Sequence, residues 1–278
     1  MKLSRFLWGL PFVLVLLIFW LSSLGGQIEI ESLYPGDVRM WDRLMNAEGN
    51  FEFESEPQGV ILPHHLAVGE DLARFYRGLA KVKDSERIFI LGPDHYEAGA
   101  MTISSCGDCV YKTVYGEVEV EAPDLDFVGI EGDIFAKEHG IFAHTPFIKY
   151  FFPEAVIVPL IIRSDVREED MEKLREWLNE NLRKDDLLLA SIDFSHYKPV
   201  EEANVDDQFS FEAIVGFDLE MVAVAAMDSP ASVSVILEIM QERGYTKAVR
   251  LAHTNTQDFY KARLEETTSH QFFAFYLP

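Results

Sequence analysis

Short apolar runs of strand length alternate along the chain with longer segments that carry apolar residues at helical spacing. The strand-like runs lie at residues 60–62, 87–91, 156–162, 187–191, 249–252 and 272–277. Helical patterns lie at residues 66–79, 168–182, 209–215, 219–227 and, after the start signal Ser229-Pro230, about 230–243. This alternation predicts an α/β fold with a mixed, largely parallel sheet that helices cover on both faces. We expect one such domain over residues 27–278.

The amino-terminal segment is distinct from that domain. No charged residue lies between Arg5 and Glu29, and residues 6–24 are almost all large and apolar. About 19 such residues form roughly 28 Å of helix, which is enough to cross a bilayer. Basic residues precede the segment and acidic residues follow it, which predicts a single-pass membrane protein with an extracytoplasmic main domain. A cleaved signal peptide is the alternative interpretation of residues 1–26.

The charge of the chain restricts its partners. The sequence contains 24 basic and 47 acidic residues, for a net charge of −23, and 48% hydrophobic residues, which is ample for a core. Nucleic acids and anionic lipid headgroups are polyanions and are disfavoured as main partners. We therefore expect no nucleic-acid partner, and a membrane contact through the amino-terminal helix only. A cation is the more favourable guest.

The two cysteines, Cys106 and Cys109, fit an extracytoplasmic domain. A short strand ends near Ile103 and another begins at Tyr111, so that Gly107-Asp108 is predicted to form the tip of a hairpin. Outside the cytoplasm such a pair is expected to form a disulfide. A thiol oxidoreductase is the alternative, and it requires a reactive thiolate at Cys106.

Four of the eight histidines come shortly after strand-like runs: His64, His95, His196 and His253. In an open α/β sheet the carboxyl ends of parallel strands meet at one crevice, where ligands bind. Imidazole is the commonest metal ligand among protein side chains. Their shared position therefore predicts a common polar or metal site.

Acidic residues stand close to several histidines in the sequence. Asp94 precedes His95, Glu138 precedes His139, and Asp193 lies near His196. A carboxylate next to an imidazole supplies charge or a hydrogen bond that orients the ring. We expect these residues to line the pocket. His65 and His270 are interpreted as structural residues or supporting neighbours, and the position of His144 is left open.

Longer stretches around these residues resemble one protein family. The ordered elements PH, GPxH, EH and DFSH occur in GVILPHHLAVGEDLARFYRGL, RIFILGPDHYEAG, KEHGIFAHTPFIKYFFPEAVIVPLII and LLLASIDFSHY. Together with SLYPGD at residues 32–37, they resemble the Memo family, also called AmmeMemoRadiSam system protein B. Proteins of this family are similar in fold to class III extradiol ring-cleavage dioxygenases, whose non-haem iron is held by two histidines and a carboxylate.

The resemblance implies roles for individual residues. His64 and His95 match the histidines that reach the metal, and His196 and Asp193 match the DFSH element of the same pocket. The family commonly has a cysteine where residues 226–231 read AMDSPA. Asp228 lies two residues beyond that position, and its carboxylate is a candidate third ligand for Fe(II). Alternatively, Asp228 helps to cap the helix that begins at Pro230.

Two classes of function follow from these residues. The first is a metal-dependent enzyme that activates dioxygen or water towards a small organic substrate, with His196 as general acid or base and Asp193 orienting it. The favoured cofactor is a divalent ion, Fe(II), with copper and zinc as alternatives. The second is a non-catalytic protein that keeps the dioxygenase-like fold and binds a metal or ligand in the crevice.

Overall fold

The computed structural model describes residues 27–34 and 36–278. The predicted membrane segment, residues 1–26, lies outside the described residues. Within the described ranges, no helix combines the length and the apolar character that crossing a bilayer requires.

Strands and helices alternate through most of the described chain. The strands are β1 (Ile28–Ile30), β2 (Gly59–Leu62), β3 (Arg87–Pro93), β4 (Ile103–Ser105), β5 (Cys109–Thr113), β6 (Gly116–Glu119), β7 (Gly129–Ile130), β8 (Val156–Ile162), β9 (Leu187–Ser191), β10 (His196–Lys198), β11 (Lys247–Asn255) and β12 (Thr267–Tyr276). The α-helices are α1 (Val38–Met45), α2 (Gly69–Leu79), α3 (Gly132–Phe135), α4 (His139–Phe142), α5 (Thr145–Phe151), α6 (Glu168–Asn181), α7 (Val200–Gly216), α8 (Leu219–Val222) and α9 (Pro230–Glu242). Short 3₁₀ turns lie at Leu66–Val68 and Thr256–Phe259.

The main sheet is parallel in its centre and antiparallel at its flanks. Its order is β10-β12-β2-β9-β3-β8-β4-β7, and β11 pairs with β12 as well. Strands β2, β9, β3 and β8 are parallel to their neighbours within this group. Strands β12 and β4 run antiparallel to β2 and β8. The carboxyl ends of the central strands therefore share one edge of the sheet.

Helices cover both faces of the sheet, because the central strands alternate large apolar residues between two cores. Ile88 and Ile90 of β3 belong to one core, together with helices α1, α2 and α5. Phe89 and Leu91 of the same strand belong to the other, where α6 packs against α9. The mixed α/β fold with helices on both faces is confirmed.

Several predicted elements change in extent. The strand predicted at residues 156–162 agrees with β8, whereas the one at 249–252 is the middle of the longer strand β11. Helix α7 begins at Val200, ahead of the predicted start. Its first turns are polar and largely exposed, so they lack the apolar pattern that predicts a helix. The helix predicted at residues 219–227 ends at Val222.

The cysteine segment does not form the predicted hairpin. Strand β4 pairs with β7 and β8 of the main sheet, whereas β5 pairs with β1 and β6 in a separate three-stranded sheet. Gly107-Asp108 therefore links two sheets rather than two paired strands. Cys106 and Cys109 are joined by a disulfide across this link, and both are buried.

Candidate metal centre

Three histidines meet at the carboxyl edge of the central strands. His64 follows β2, His95 follows β3, and His139 opens the short helix α4. The ring centroids of His64 and His95 are 5.0 Å apart, and those of His95 and His139 are 4.1 Å apart. One nitrogen from each of the three rings lies within 4.8 Å of the other two, as in a group that could hold a metal ion.

Two carboxylates complete this group from the neighbouring loops. Nε2 of His64 lies 3.3 Å from Oδ2 of Asp228 and 3.6 Å from Oδ2 of Asp193. Nε2 of His95 lies 3.9 Å from the same Asp228 oxygen. Two ligands each about 2.1 Å from one ion are themselves roughly 3 to 3.5 Å apart, so the His64–Asp228 separation fits a shared ion. The groups around His64 that could hold a metal are His64 with His95 and His139, and His64 with Asp193 and Asp228.

Asp228 is positioned by the backbone of the Asp193 loop. The Asp193 N–H donates to Oδ2 of Asp228 at 3.0 Å, and the Asp228 N–H donates to the Asp193 carbonyl at 3.1 Å. The cap of helix α9 is Ser229, whose Oγ accepts from the Ser232 N–H at 3.3 Å. The Asp228 carboxylate thus faces the histidines, and the capping role belongs to its neighbour.

A buried hydroxyl decides which nitrogen of His64 faces the carboxylates. Ser191 Oγ donates to the Gly140 carbonyl at 2.6 Å, which uses its single proton. Its lone pairs then accept from Nδ1 of His64 at 3.0 Å and from Nε2 of His144 at 3.1 Å. Nδ1 of His144 accepts in turn from the Tyr76 hydroxyl at 3.0 Å. His64 is therefore protonated on Nδ1, and the lone pair of Nε2 is directed at the carboxylates.

Glu138 fixes His95 in the same way. Its fully buried carboxylate accepts from Nδ1 of His95 at 2.7 Å and from the His95 backbone N–H at 3.1 Å. It also accepts from the Gly140 N–H at 2.8 Å and lies 3.8 Å from Nδ1 of His139. Metal-binding histidines commonly donate their second nitrogen to a carboxylate in this manner. Nε2 of His95 is left with a lone pair that faces Asp228.

The electrostatics of the cluster suit a cation. Burial, followed by the neighbouring histidines, holds the pKa of His64 well below its usual range, so its imidazole is neutral. Burial raises the pKa of Asp193 to about 7, and burial together with Asp193 raises that of Asp228 well above its usual range. Oδ1 of Asp228 is buried, and no described residue donates a hydrogen bond to it. A bound cation would stabilise both carboxylates and give this oxygen a partner.

Cavities open on two sides of the cluster. One of about 670 Å³ is lined by His95 and Asp228, by apolar residues such as Ile162 and Leu219, and by charged residues such as Arg163 and Glu238. The other, of about 540 Å³, is lined by His64, His65, His139, Asp193 and Tyr34, among others. Volumes of this size accommodate small organic molecules.

The remaining predicted residues have different surroundings. Asp94 closes the turn after β3, since its carboxylate accepts from the backbone N–H groups of Tyr96, Ala98 and Gly99. His196 begins β10 and is close enough to His64 to influence its pKa, but its ring bonds to the Phe194 backbone. The described hydrogen bonds of the Asp193 carboxylate go to the backbones of His64 and His65 rather than to His196.

His253 is the predicted pocket residue that the structure places elsewhere. Strand β11 runs in the same direction as the central strands, but β12 lies between it and β2, so His253 lies beyond β12 rather than next to the histidines that follow β2 and β3. Nε2 of His253 bonds to Oδ2 of the buried Asp207 at 2.7 Å. The prediction differs because an apolar run does not reveal where its strand lies in the order of the sheet.

Sequence reasoning misses the chain of Tyr76, His144 and Ser191 behind His64. Ser191 carries a weak signal, because a polar residue ends an otherwise apolar strand. Tyr76 belongs to the apolar face of α2 and gives no signal. His144 becomes interpretable only when its two hydrogen-bond partners are known.

The chain is an α/β domain whose histidines and carboxylates, at the carboxyl ends of its central parallel strands, could hold a metal ion. The family model described as Memo-like protein matches residues 32–267. The chain therefore belongs to the Memo family.

Several relatives are described as MEMO1 family proteins. A MEMO1 family protein of Pyrobaculum arsenaticum is 28% identical over 225 residues, covering 72% of this chain and 77% of the relative. One of Aquifex aeolicus is 26% identical over 247 residues, covering 82% and 90%. One of Sulfurisphaera tokodaii is 30% identical over 213 residues, covering 71% and 72%.

Proposed function

We propose that this Memo-family protein is a metal-dependent enzyme of the oxygenase type that acts on a small organic molecule. His64, His95 and Asp228 hold the ion in this proposal, and Fe(II) is favoured over copper and zinc because two histidines and a carboxylate are its preferred set in oxygenases. The observation that carries the proposal is the direction of the two Nε2 lone pairs towards a carboxylate with an unpartnered buried oxygen.

The residues of the chain bind and orient, and one of them is proposed to transfer a proton. A bound Fe(II) at such a site supplies open coordination positions for dioxygen or substrate. The cavity of about 670 Å³ next to His95 holds the substrate against Asp228. His196 is the candidate general acid or base, because an imidazole can gain and release a proton, and burial lowers its pKa so that the resting ring is neutral. Asp193 supports the His64 backbone and contributes negative charge next to the ion.

We further propose that residues 1–26 form a single-pass membrane anchor and that the main domain is extracytoplasmic. The apolar segment with basic residues before it and acidic residues after it supports this orientation. The disulfide between Cys106 and Cys109 is a second argument, since such bonds persist in oxidising compartments. The net charge of −23 disfavours a nucleic-acid partner.

Metal analysis followed by oxygen uptake tests this function. The full-length chain is freed of metal with a chelator, loaded with Fe(II) under anaerobic conditions, and assayed for oxygen consumption with catechol-type substrates. We expect bound iron and substrate-dependent oxygen uptake, both strongly reduced in His64→Ala and His95→Ala. Full iron content in these two variants would refute the ligand assignment.

The same assay separates the enzyme from a non-catalytic binder. In His196→Gln we expect normal iron content with much slower oxygen uptake, because a proton donor is lost while the ligands remain. Iron binding without oxygen uptake for any substrate tested would favour a protein that binds a metal or ligand without catalysis.

A further inference from the structure

A second pair of histidines lies close to Asp193. His65 follows His64 directly, and its Nδ1 lies 3.1 Å from Nε2 of His270 on strand β12. The two ring centroids are 5.3 Å apart. His65 is accessible from solvent, whereas His270 is completely buried in the sheet.

The contact between these rings leaves nitrogen lone pairs in the interior. Two neutral imidazoles 3.1 Å apart share one proton between the facing nitrogens, and a cation can take its place. On the far side of His270, Nδ1 lies 3.4 Å from the Thr254 hydroxyl, which can hold the ring by its other nitrogen. A separation of 3.1 Å also suits two nitrogen ligands of one ion, each about 2.1 Å from it.

Asp193 connects this pair to the first group. One of its carboxylate oxygens lies within 4.8 Å of one nitrogen of His65 and one nitrogen of His270. Its Oδ2 also lies 3.6 Å from Nε2 of His64. The carboxylate is therefore within reach of two sets of imidazoles, as a bridging ligand is in two-metal sites, whose ions are about 3.5 to 4 Å apart.

Both sets of ligands can be reached from the same side. His64, His65 and Asp193 all line the cavity of about 540 Å³. An ion that enters this cavity meets His65 first and the buried His270 behind it. The mixed nitrogen and oxygen ligands suit Zn(II), Fe(II), Co(II) or Mn(II) better than Mg(II) or Ca(II), which prefer oxygen alone.

We propose that His65, His270 and Asp193 bind a second divalent cation, so that the centre is dinuclear with Asp193 as the shared carboxylate. The second site extends the proposed function and rests on it only through Asp193. Its imidazoles are different from those of the first site, and the two sites can therefore be removed separately.

Metal stoichiometry of the full-length chain tests the proposal. Metal-free protein is dialysed to equilibrium against Co(II), and bound cobalt is measured by mass spectrometry. We expect two ions per chain in the wild type, and one in His65→Ala and in His270→Gln. His253→Gln is the matched control, since it alters an imidazole on the adjacent strand β11 that belongs to none of the ligand groups, and it should retain two ions.

The outcomes distinguish this inference from the proposed function. A single ion that is lost in His64→Ala and kept in His65→Ala overturns the second site and leaves the first intact. A single ion that is lost only in His65→Ala and His270→Gln supports the second site and overturns the first. No bound ion, or two ions in every variant, overturns the proposal. Because His65 is accessible from solvent, His65→Ala keeps the test valid if His270→Gln fails to fold.

Discussion

The hydrogen bonds of Ser191 determine which nitrogen of His64 faces the carboxylates. Its hydroxyl has one proton, which goes to the Gly140 carbonyl, and two lone pairs, which accept from His64 and His144. Without this acceptor, the Nδ1–H of His64 would be buried and unpaired. The ring would then lose the constraint that directs its Nε2 at Asp228.

The substitution Ser191→Ala tests this role. We expect the free energy of unfolding to fall by about 1 to 3 kcal/mol, because two buried N–H groups lose their acceptor. We expect metal affinity to fall by about 10- to 100-fold, as for other groups that orient a metal-binding histidine. Urea denaturation and calorimetric titration with Co(II) measure the two effects.

Ser195→Ala is the control for Ser191→Ala. Ser195 is also completely buried, and it donates to Oδ1 of Asp207 at 2.9 Å. Its loss should lower stability to a similar extent without changing metal affinity. Equal affinity losses in both variants would mean that the effect comes from general destabilisation.

His144 gives the protein a specific dependence on pH. Burial lowers its pKa to about 3, so the folded protein keeps it neutral while the unfolded chain protonates it below about pH 6.5. Its contribution to stability is complete above pH 6.5 and is lost as the pH falls towards 3, at about 1.4 kcal/mol per pH unit. His144→Gln cannot titrate and should lack this loss.

Urea denaturation of the metal-free protein from about pH 7 to about pH 4 measures the effect. The other titrating groups are common to both proteins, so the difference between wild type and His144→Gln isolates His144. The stability curves should converge or cross as the pH falls. Parallel curves over this range would show that His144 is protonated in the folded state.

The sequence predicts a proposed ligand only where that residue follows a recognisable strand. His64, His95 and Asp193 are predictable because each follows an apolar run, and those runs form the adjacent parallel strands β2, β3 and β9. Asp228 is ambiguous from sequence, since an acidic residue before Ser229 is equally suited to a helix cap. The structure separates these roles through backbone hydrogen bonds that no sequence pattern indicates.

At the scale of elements, the site depends on the order of the central strands. Because β9 lies between β2 and β3, the loop after β9 brings Asp193 between the residues that follow its neighbours. The short helix α4 is held against the end of β3 by the contacts of Glu138 with His95. The order of strands is a long-range property that a local sequence pattern does not reveal. For this reason the sequence predicts a cysteine hairpin, whereas β4 and β5 pair in different sheets.

The disulfide link between the two sheets should contribute stability but not metal binding. For the short loop that Cys106 and Cys109 close, chain entropy predicts a loss of about 2 kcal/mol in Cys106→Ser/Cys109→Ser. The proposed metal ligands lie on other elements, so metal content should be unchanged. Urea denaturation and metal analysis of this variant test both statements.

Two outcomes would contradict this account of the cysteines. Loss of metal in Cys106→Ser/Cys109→Ser would connect the small sheet to the centre. Free thiols that titrate in the native protein would favour the alternative of a thiol oxidoreductase.

For the whole molecule, the acidic charge and the apolar amino-terminal segment set the expected location. We expect the full-length chain to fractionate with membranes and to resist extraction by high salt, because the contact is apolar rather than ionic. We also expect protease added outside intact cells or spheroplasts to degrade the main domain. A chain that salt releases, or that protease reaches only after lysis, would contradict the proposed topology.

The position of the ion is the central claim, and an anomalous difference map of metal-loaded crystals of the full-length protein tests it most directly. We predict a peak at the metal absorption edge about 2.0 to 2.2 Å from Nε2 of His64, Nε2 of His95 and a carboxylate oxygen of Asp228. A map with no peak between these three side chains, in crystals whose metal content is established, would contradict the account.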